Sequence, residues 1–147
     1  MLYGEFSHQV DAKNRIRIPF RFKKDLGSAY MLCKMADGVI GIYEASIAEK
    51  KFAFLSEVSP FNKQAKKAIL NFMSGFFYAE DDGHGRIMLP DSLVKYAKIE
   101  KDVVSVGMGD HIELMSAATF NEAANDDNSE EYLEILDQLF EKHRSEQ

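Results

Sequence analysis

The 147-residue sequence predicts an α+β fold with a mainly β core, built from two internal repeats of one supersecondary unit. The first observation behind this is a nine-residue phrase that occurs twice. Residues 11–19 read D-A-K-N-R-I-R-I-P and residues 82–90 read D-G-H-G-R-I-M-L-P, so Asp11 matches Asp82, Arg15 matches Arg86, Ile16 matches Ile87 and Pro19 matches Pro90. The second is that each phrase is followed by the same patterns, a short helical stretch and then two apolar strands around a tight turn. The third is the spacing between the repeats, which switches to a helical period. Each repeat has too few strands to close a core alone, so the two must interleave or pack together.

Taken in order, residues 1–10 alternate loosely and read as a strand leading into a turn at Asp11. Asn14 and Gly85 occupy the same place in their turns, and both types readily take a left-handed conformation. Asp11 and Asp82 are expected to shape these turns, because an Asp carboxylate accepts hydrogen bonds from its own turn's N–H groups. Residues 15–18 alternate strictly, giving one apolar face and one basic face that presents Arg15 and Arg17 outward. Pro19 stops that strand. Residues 20–26 then read as a short helix with Phe22 and Leu26 inward, closed by Gly27. Strands at 30–35 and 39–43 flank Ala36-Asp37-Gly38, a hairpin signal.

Helices at 47–55 and 63–72 follow, separated by Ser59-Pro60. The first has Ile47, Phe52 and Leu55 as its apolar positions; the second sets Ala65, Ala68, Ile69 and Phe72 against Lys63, Lys66 and Lys67. The second repeat runs as strand 76–80, turn 81–85, strand 86–89, a helix 92–98 capped by Asp91, and strands 103–107 and 112–115. A helix at 117–124, a turn and cap at 126–129 and an acidic amphipathic helix at 130–143 complete the chain. The last helix carries the stripe Tyr132, Leu133, Ile135, Leu136, Leu139 and Phe140, for which core packing is the default and a subunit contact the alternative. The organisation is thus a first half at 1–55, a helical connector at 56–75, a second half at 76–125 and a tail helix at 126–147.

The net charge of −6 is unevenly spread: residues 1–72 sum to +5 and residues 73–147 to −11. Lys13, Arg15, Arg17, Arg21, Lys23 and Lys24 lie in one stretch without an acid. Local positive charge can engage a polyanion even on an acidic protein, since exposed charges are screened beyond about 8–10 Å. The alternative is a solvated strand and helix face. No apolar run approaches the roughly 18–20 residues that span a bilayer, and the N-terminus lacks a signal-peptide pattern. The single Cys33 fits a reducing cytoplasm and, within the apolar run 30–33, a buried small hydrophobe.

Signals for catalysis are poor. His8, His84, His111 and His143 fall without metal-ligand spacing, and no H-E-x-x-H, C-x-x-C, Walker loop or G-x-S-x-G occurs. Asp81, Asp82 and His84 could hold a divalent cation, as a metal-dependent hydrolase would require, but a polar turn explains them as well without one, so no enzyme activity, metal, cofactor or small-molecule substrate is expected. The repeated Asp…Arg turn reads as a binding device, because Arg offers a rigid fork of donors suited to phosphate oxygens or a guanine edge. An Asp–Arg pair that only holds each turn together is the competing reading.

Gly4-Glu5-x-x-His8 precedes Asp11-x-Lys13-x-Arg15-(x)3-Pro19, and Phe72-x-Ser74-Gly75 precedes Asp82-x-x-Gly85-Arg86-Ile87-x-Leu89-Pro90. On these residues the chain resembles the MraZ family, bacterial regulators made of two SpoVT-AbrB-type halves. Asn14 stands where that family usually has Gly, and His84 where Gln is common. The resemblance implies a swapped-hairpin β-barrel formed by both halves, with helices outside. It also implies octamer-like rings, in the cytoplasm on the nucleoid, that bind double-stranded DNA. Their targets would be short G-rich direct repeats upstream of the division and cell-wall gene cluster, commonly with repression. On this reading Arg15 and Arg86 read bases, Asn14 belongs to the contacting loop, and Lys13, Arg17, Arg21 and Lys24 meet phosphates. An oligomeric interaction protein with purely structural Asp–Arg turns is the alternative.

Overall fold

The computed structural model describes residues 1–124 and 129–147. Its first repeat comprises β1 (Leu2–Gln9), β2 (Arg15–Arg17), α1 (Phe20–Leu26), β3 (Ala29–Met35) and β4 (Val39–Glu44). A helical lobe follows, made of α2 (Ala45–Phe52), a 3-10 turn (Ala53–Glu57) and α3 (Lys63–Ser74). The second repeat is β5 (Phe77–Glu80), β6 (Arg86–Met88), α4 (Asp91–Tyr96), β7 (Asp102–Gly109) and β8 (Ile112–Ser116), with α5 (Ala117–Ala124) and α6 (Ser129–Ser145) after it. The turn and cap expected over 126–129 lies, but for Ser129, outside the described residues.

The repeats interleave. Six strands form one sheet in the order β1-β7-β8-β4-β3-β5, and β2 pairs with β6 in a separate ribbon. Exchanging β1 with β5, β3 with β7 and β4 with β8 reverses that order onto itself, so an approximate two-fold relates the halves. The first strand of each repeat is paired in the other: β1 runs along β7 from Leu2↔Gly109 to Gln9↔Asp102, and β5 along β3 from Ala29↔Glu80 to Leu32↔Phe77. At the centre β4 meets β8 through Ile40↔Leu114 and Ile42↔Ile112.

The expected barrel is not closed. β1 and β5 are paired on one side only, and β2 and β6 satisfy each other rather than a sheet edge. Pro19 and Pro90 follow closely on these two strands and have no N–H with which to extend a ladder. The ribbon instead contributes its apolar face to the core. Ile16, Ile18, Ile87 and Leu89 are each 1% exposed and pack with Phe22 and Leu26 of α1, Leu93 of α4 and its C-cap Ala97, and the sheet's inner face. Phe6 and Phe22 meet edge to face at 5.0 Å. β1 lies so close to β7 that a Cβ built on Gly107 would fall 2.3 Å from the Tyr3 nitrogen.

On a second cluster, Cys33, Tyr43 and Ala48 are buried beneath Phe52, Phe72 and Phe76. Burial pushes the Cys33 thiol up to about 11, which suits a packing role. α2 is capped by Glu44, whose carboxylate accepts from the Ser46 and Ile47 N–H groups. Two expectations are corrected. Asp91 caps nothing: Pro90 holds the N-cap place of α4, and Asp91 Oδ1 accepts from Asn14 Nδ2 at 3.1 Å. The α6 stripe does not pack on the core: Tyr132, Leu133, Ile135, Leu139 and Phe140 are at least half exposed, because α1 and α4 already fill the space under the sheet. Among the described residues, no helix is long and apolar enough to cross a membrane.

Candidate nucleic-acid interface

The two Asp…Arg turns fold alike. Asp11 Oδ1 accepts from the N–H groups of Lys13 and Arg15, both at 2.9 Å, and its Oδ2 accepts from Arg15 Nε at 2.7 Å. Asp82 Oδ1 accepts from the N–H groups of His84 (2.8 Å) and Arg86 (3.2 Å), and its Oδ2 from Arg86 Nε at 2.8 Å. Asn14, with φ 57°, and Gly85, with φ 79°, make the reversal that this wrapping requires. The carbonyls of these two residues then lock the turns together: Leu89 donates to Asn14 O at 2.8 Å and Ile18 to Gly85 O at 3.0 Å.

Hydrogen bonding sets the charge of these carboxyls. The Arg15 N–H, its guanidinium and the Lys13 N–H outweigh burial and lower the Asp11 pKa. At Asp82 burial pulls upward, and the N–H groups of His84 and Arg86 with the Arg86 side chain overcome it, holding the group down at about 2. Both acids are therefore ionised at neutral pH, each neutralised by its own arginine.

The ribbon collects the arginines. Its register is Arg15↔Met88, Ile16↔Ile87 and Arg17↔Arg86. The central pair points into the core, so side chains one place either way point outward, and Arg15, Arg17, Arg86 and Met88 share that face. Each Asp uses only the Nε of its arginine, leaving the remaining guanidinium N–H groups of Arg15 and Arg86 without a partner among the described residues. Arg17 donates through Nη1 to the His84 carbonyl.

Other expected residues are placed differently. Lys13 and Lys24 are exposed, at the first turn and on α1. Arg21 leans over β1, its guanidinium carbon 5.5 Å from the Tyr3 ring centroid and 5.8 Å from that of Phe6. Its guanidinium is thus engaged with two aromatic faces of β1 while the residue stays exposed.

A family model described as "MraZ protein, putative antitoxin-like" matches residues 72–142, the span that holds the second turn. The chain is also similar to proteins named "Transcriptional regulator MraZ". That of Clostridium tetani is 38% identical over 144 residues, covering 96% of this chain and 98% of the relative. That of Thermoanaerobacter sp. is 35% identical over 141 residues, covering 95% and 99%. The chain belongs to the MraZ family.

One contact beside the turns has no counterpart among the sequence-based expectations. Lys23 Nζ lies 2.6 Å from Asp81 Oδ2, whose side chain is 6% exposed, while Asp81 Oδ1 accepts from Gly83 (2.7 Å) and Gly85 (3.0 Å). Lys23 therefore ties α1 of the first repeat to the turn of the second, and its ammonium is the leading cause of a lowered Asp81 pKa. A signal existed: Asp81 breaks the repeat, since Val10 stands at the matching position. With the Asp81 and Asp82 carboxylates given to backbone and cations, the 81–84 turn has little to offer a metal. Among the described residues of this MraZ-family chain, no three His, Cys, Asp or Glu side chains are grouped to hold one.

Proposed function

We propose that this chain is a sequence-specific transcriptional regulator that binds double-stranded DNA as an octamer-like ring. The observation that carries this reading is the outward face of the β2–β6 ribbon, with Arg15, Arg17 and Arg86 on a ladder three residue pairs long. The relatives' name, transcriptional regulator, supports it. Asp11 and Asp82 hold Arg15 and Arg86 by Nε, so the free ends of the two forks are pre-oriented and lose little freedom on binding. Such a fork matches O6 and N7 of guanine in the major groove. Lys13, Arg17, Arg21 and Lys24 supply the surrounding, salt-dependent phosphate contacts, and Asn14 belongs to the contacting loop.

A monomer of net charge −6 with one basic ribbon binds DNA weakly. A ring multiplies that ribbon, and several weak contacts in register on direct repeats gain through effective concentration. The targets on this reading are short direct repeats upstream of the division and cell-wall gene cluster, the outcome repression, and the setting the cytoplasm on the nucleoid. No enzyme activity, membrane or small-molecule substrate enters it.

Fluorescence anisotropy tests the reading, with duplex from upstream of the chain's own gene beside a scrambled duplex at two salt concentrations. Preferred binding that weakens with salt is expected, with Arg15→Ala removing the preference and Lys24→Ala weakening both duplexes alike. Equal, feeble binding to both overturns it. The Nε pairing within each turn favours one other reading, an oligomeric interaction protein whose arginines only brace the turns. That reading requires Arg15→Ala and Arg86→Ala to lower the melting temperature with no duplex preferred.

A further inference from the structure

Most of the uncovered large apolar side chains gather in two places. One is α6, where Tyr132, Leu133, Ile135, Leu139 and Phe140 are 50–62% exposed. The other is the α2–α3 lobe, where Ile47, Phe54, Phe61, Leu70 and Met73 are exposed. Between α2, the 3-10 turn and α3 runs a groove of about 460 Å³, lined mostly by Ala48, Phe52, Leu55, Ile69, Met73 and Phe76. The groove's lining includes no α6 residue, so among the described residues both the stripe and the groove are left unfilled.

These surfaces complement each other in shape and charge. Positions 132, 133, 136, 139 and 140 follow the spacing by which an amphipathic helix seats one face in a groove. Residues 45–74 carry five lysines against Glu49 and Glu57, a balance of +3, whereas 129–145 carry five acids against Lys142 and Arg144, a balance of −3. Pairing α6 with another α6 would bring two acidic helices together, while pairing it with the lobe joins opposite signs. Lys66, one turn before Ile69 on α3, stands beside the groove.

We propose that α6 of one copy of this chain docks in the α2–α3 groove of a second copy. The inference rests on the homo-oligomer of the preceding reading and names the two surfaces that build it. Because they differ, the contact is head-to-tail: each copy gives a helix and accepts one, and repetition closes a ring when the rotation allows. The ribbon's Ile16 and Ile87 and the groove's Ala48, Phe52 and Phe76 belong to separate clusters, and no ribbon residue lines the groove.

The test places Met73→Cys on one preparation of the full chain and Leu136→Cys on another, mixes them and oxidises mildly. Cys33, 1% exposed, does not compete. A covalent dimer from the mixture and from neither variant alone is expected. Independently, Lys63→Glu/Lys66→Glu/Lys67→Glu should weaken assembly at least tenfold by light scattering, and adding Glu130→Lys/Glu134→Lys/Asp137→Lys should restore it, which an unfolded variant cannot do. Cross-linking of Leu136→Cys with itself, or a wild-type oligomer whose mixture gives no cross-link, overturns the docking. A wild type that assembles and prefers its upstream duplex, with no cross-link from the mixed Met73→Cys and Leu136→Cys variants, leaves the regulator standing and removes only this interface. A monomeric wild type removes both interface and ring.

Discussion

Arg17 and Arg86 are direct partners in the β2–β6 ladder, although Arg86 is the repeat-mate of Arg15 rather than of Arg17. Two cations set opposite each other on one face cost about 0.2–1 kcal/mol when nothing anionic lies between them. Asp82 and the His84 carbonyl relieve part of that repulsion. A phosphate would relieve the rest. Arg17→Ala should therefore leave the melting temperature unchanged or raise it slightly at low salt, while weakening duplex binding about tenfold. Thermal melts and anisotropy on one sample check both signs; a destabilised variant with unaltered binding would make Arg17 a structural residue.

The turns make stability depend on acid. Asp82 titrates at about 2 in the fold against 3.8 ordinarily, and Asp11 and Asp81 are also lowered. The folded chain thus binds fewer protons than the unfolded chain across this range. Their stabilisation is complete above about pH 4 and fades as pH falls toward 2. Circular-dichroism melts between pH 2 and 6 should show this, with a shallower slope for Asp82→Asn.

Lys23→Met should cost about 2 kcal/mol, because it strands the nearly buried Asp81 carboxylate without its cation. Asp81→Asn keeps an acceptor for the Gly83 and Gly85 N–H groups and removes the charge. Adding it to Lys23→Met should recover a good part of the loss in denaturant titration, a coupling that two independent sites would not give.

Gly107→Ala should cost about 2 kcal/mol or more, since the new methyl would meet backbone atoms of Leu2 and Tyr3 that cannot turn aside. Hydrogen exchange should locate the damage in β1 and β7, leaving the β2–β6 ribbon protected.

Much of the ribbon was legible in the sequence. Strict alternation over 15–18 set Ile16 inward and the arginines outward, and the matched Asp and Arg positions gave each turn its carboxylate wrap. Alternation is a property of one strand, however, and says nothing of the strand opposite; the Arg17↔Arg86 contact exists only once the two-fold sets the register. Asp91 carried a helix-cap signal, but Pro90 took that place and a distant Asn14 took the side chain. The α6 stripe was legible as a stripe, since spacing reports that a face is apolar and not what covers it. The barrel was inferred by resemblance, and the pairing of β2 with β6 alone kept the sheet open.

The exchange of first strands also orders events during synthesis. Leu2 has no ladder partner until Gly109 has been made, because among the described residues β1 pairs only with β7. The nascent amino-terminal segment must wait, uncommitted, while the ribosome adds most of the chain. In that interval a β7 from a neighbouring nascent chain is an equally good mate. Crowded polysomes would then yield dimers entangled by exchanged strands, and slow translation ahead of β7 would make them more abundant.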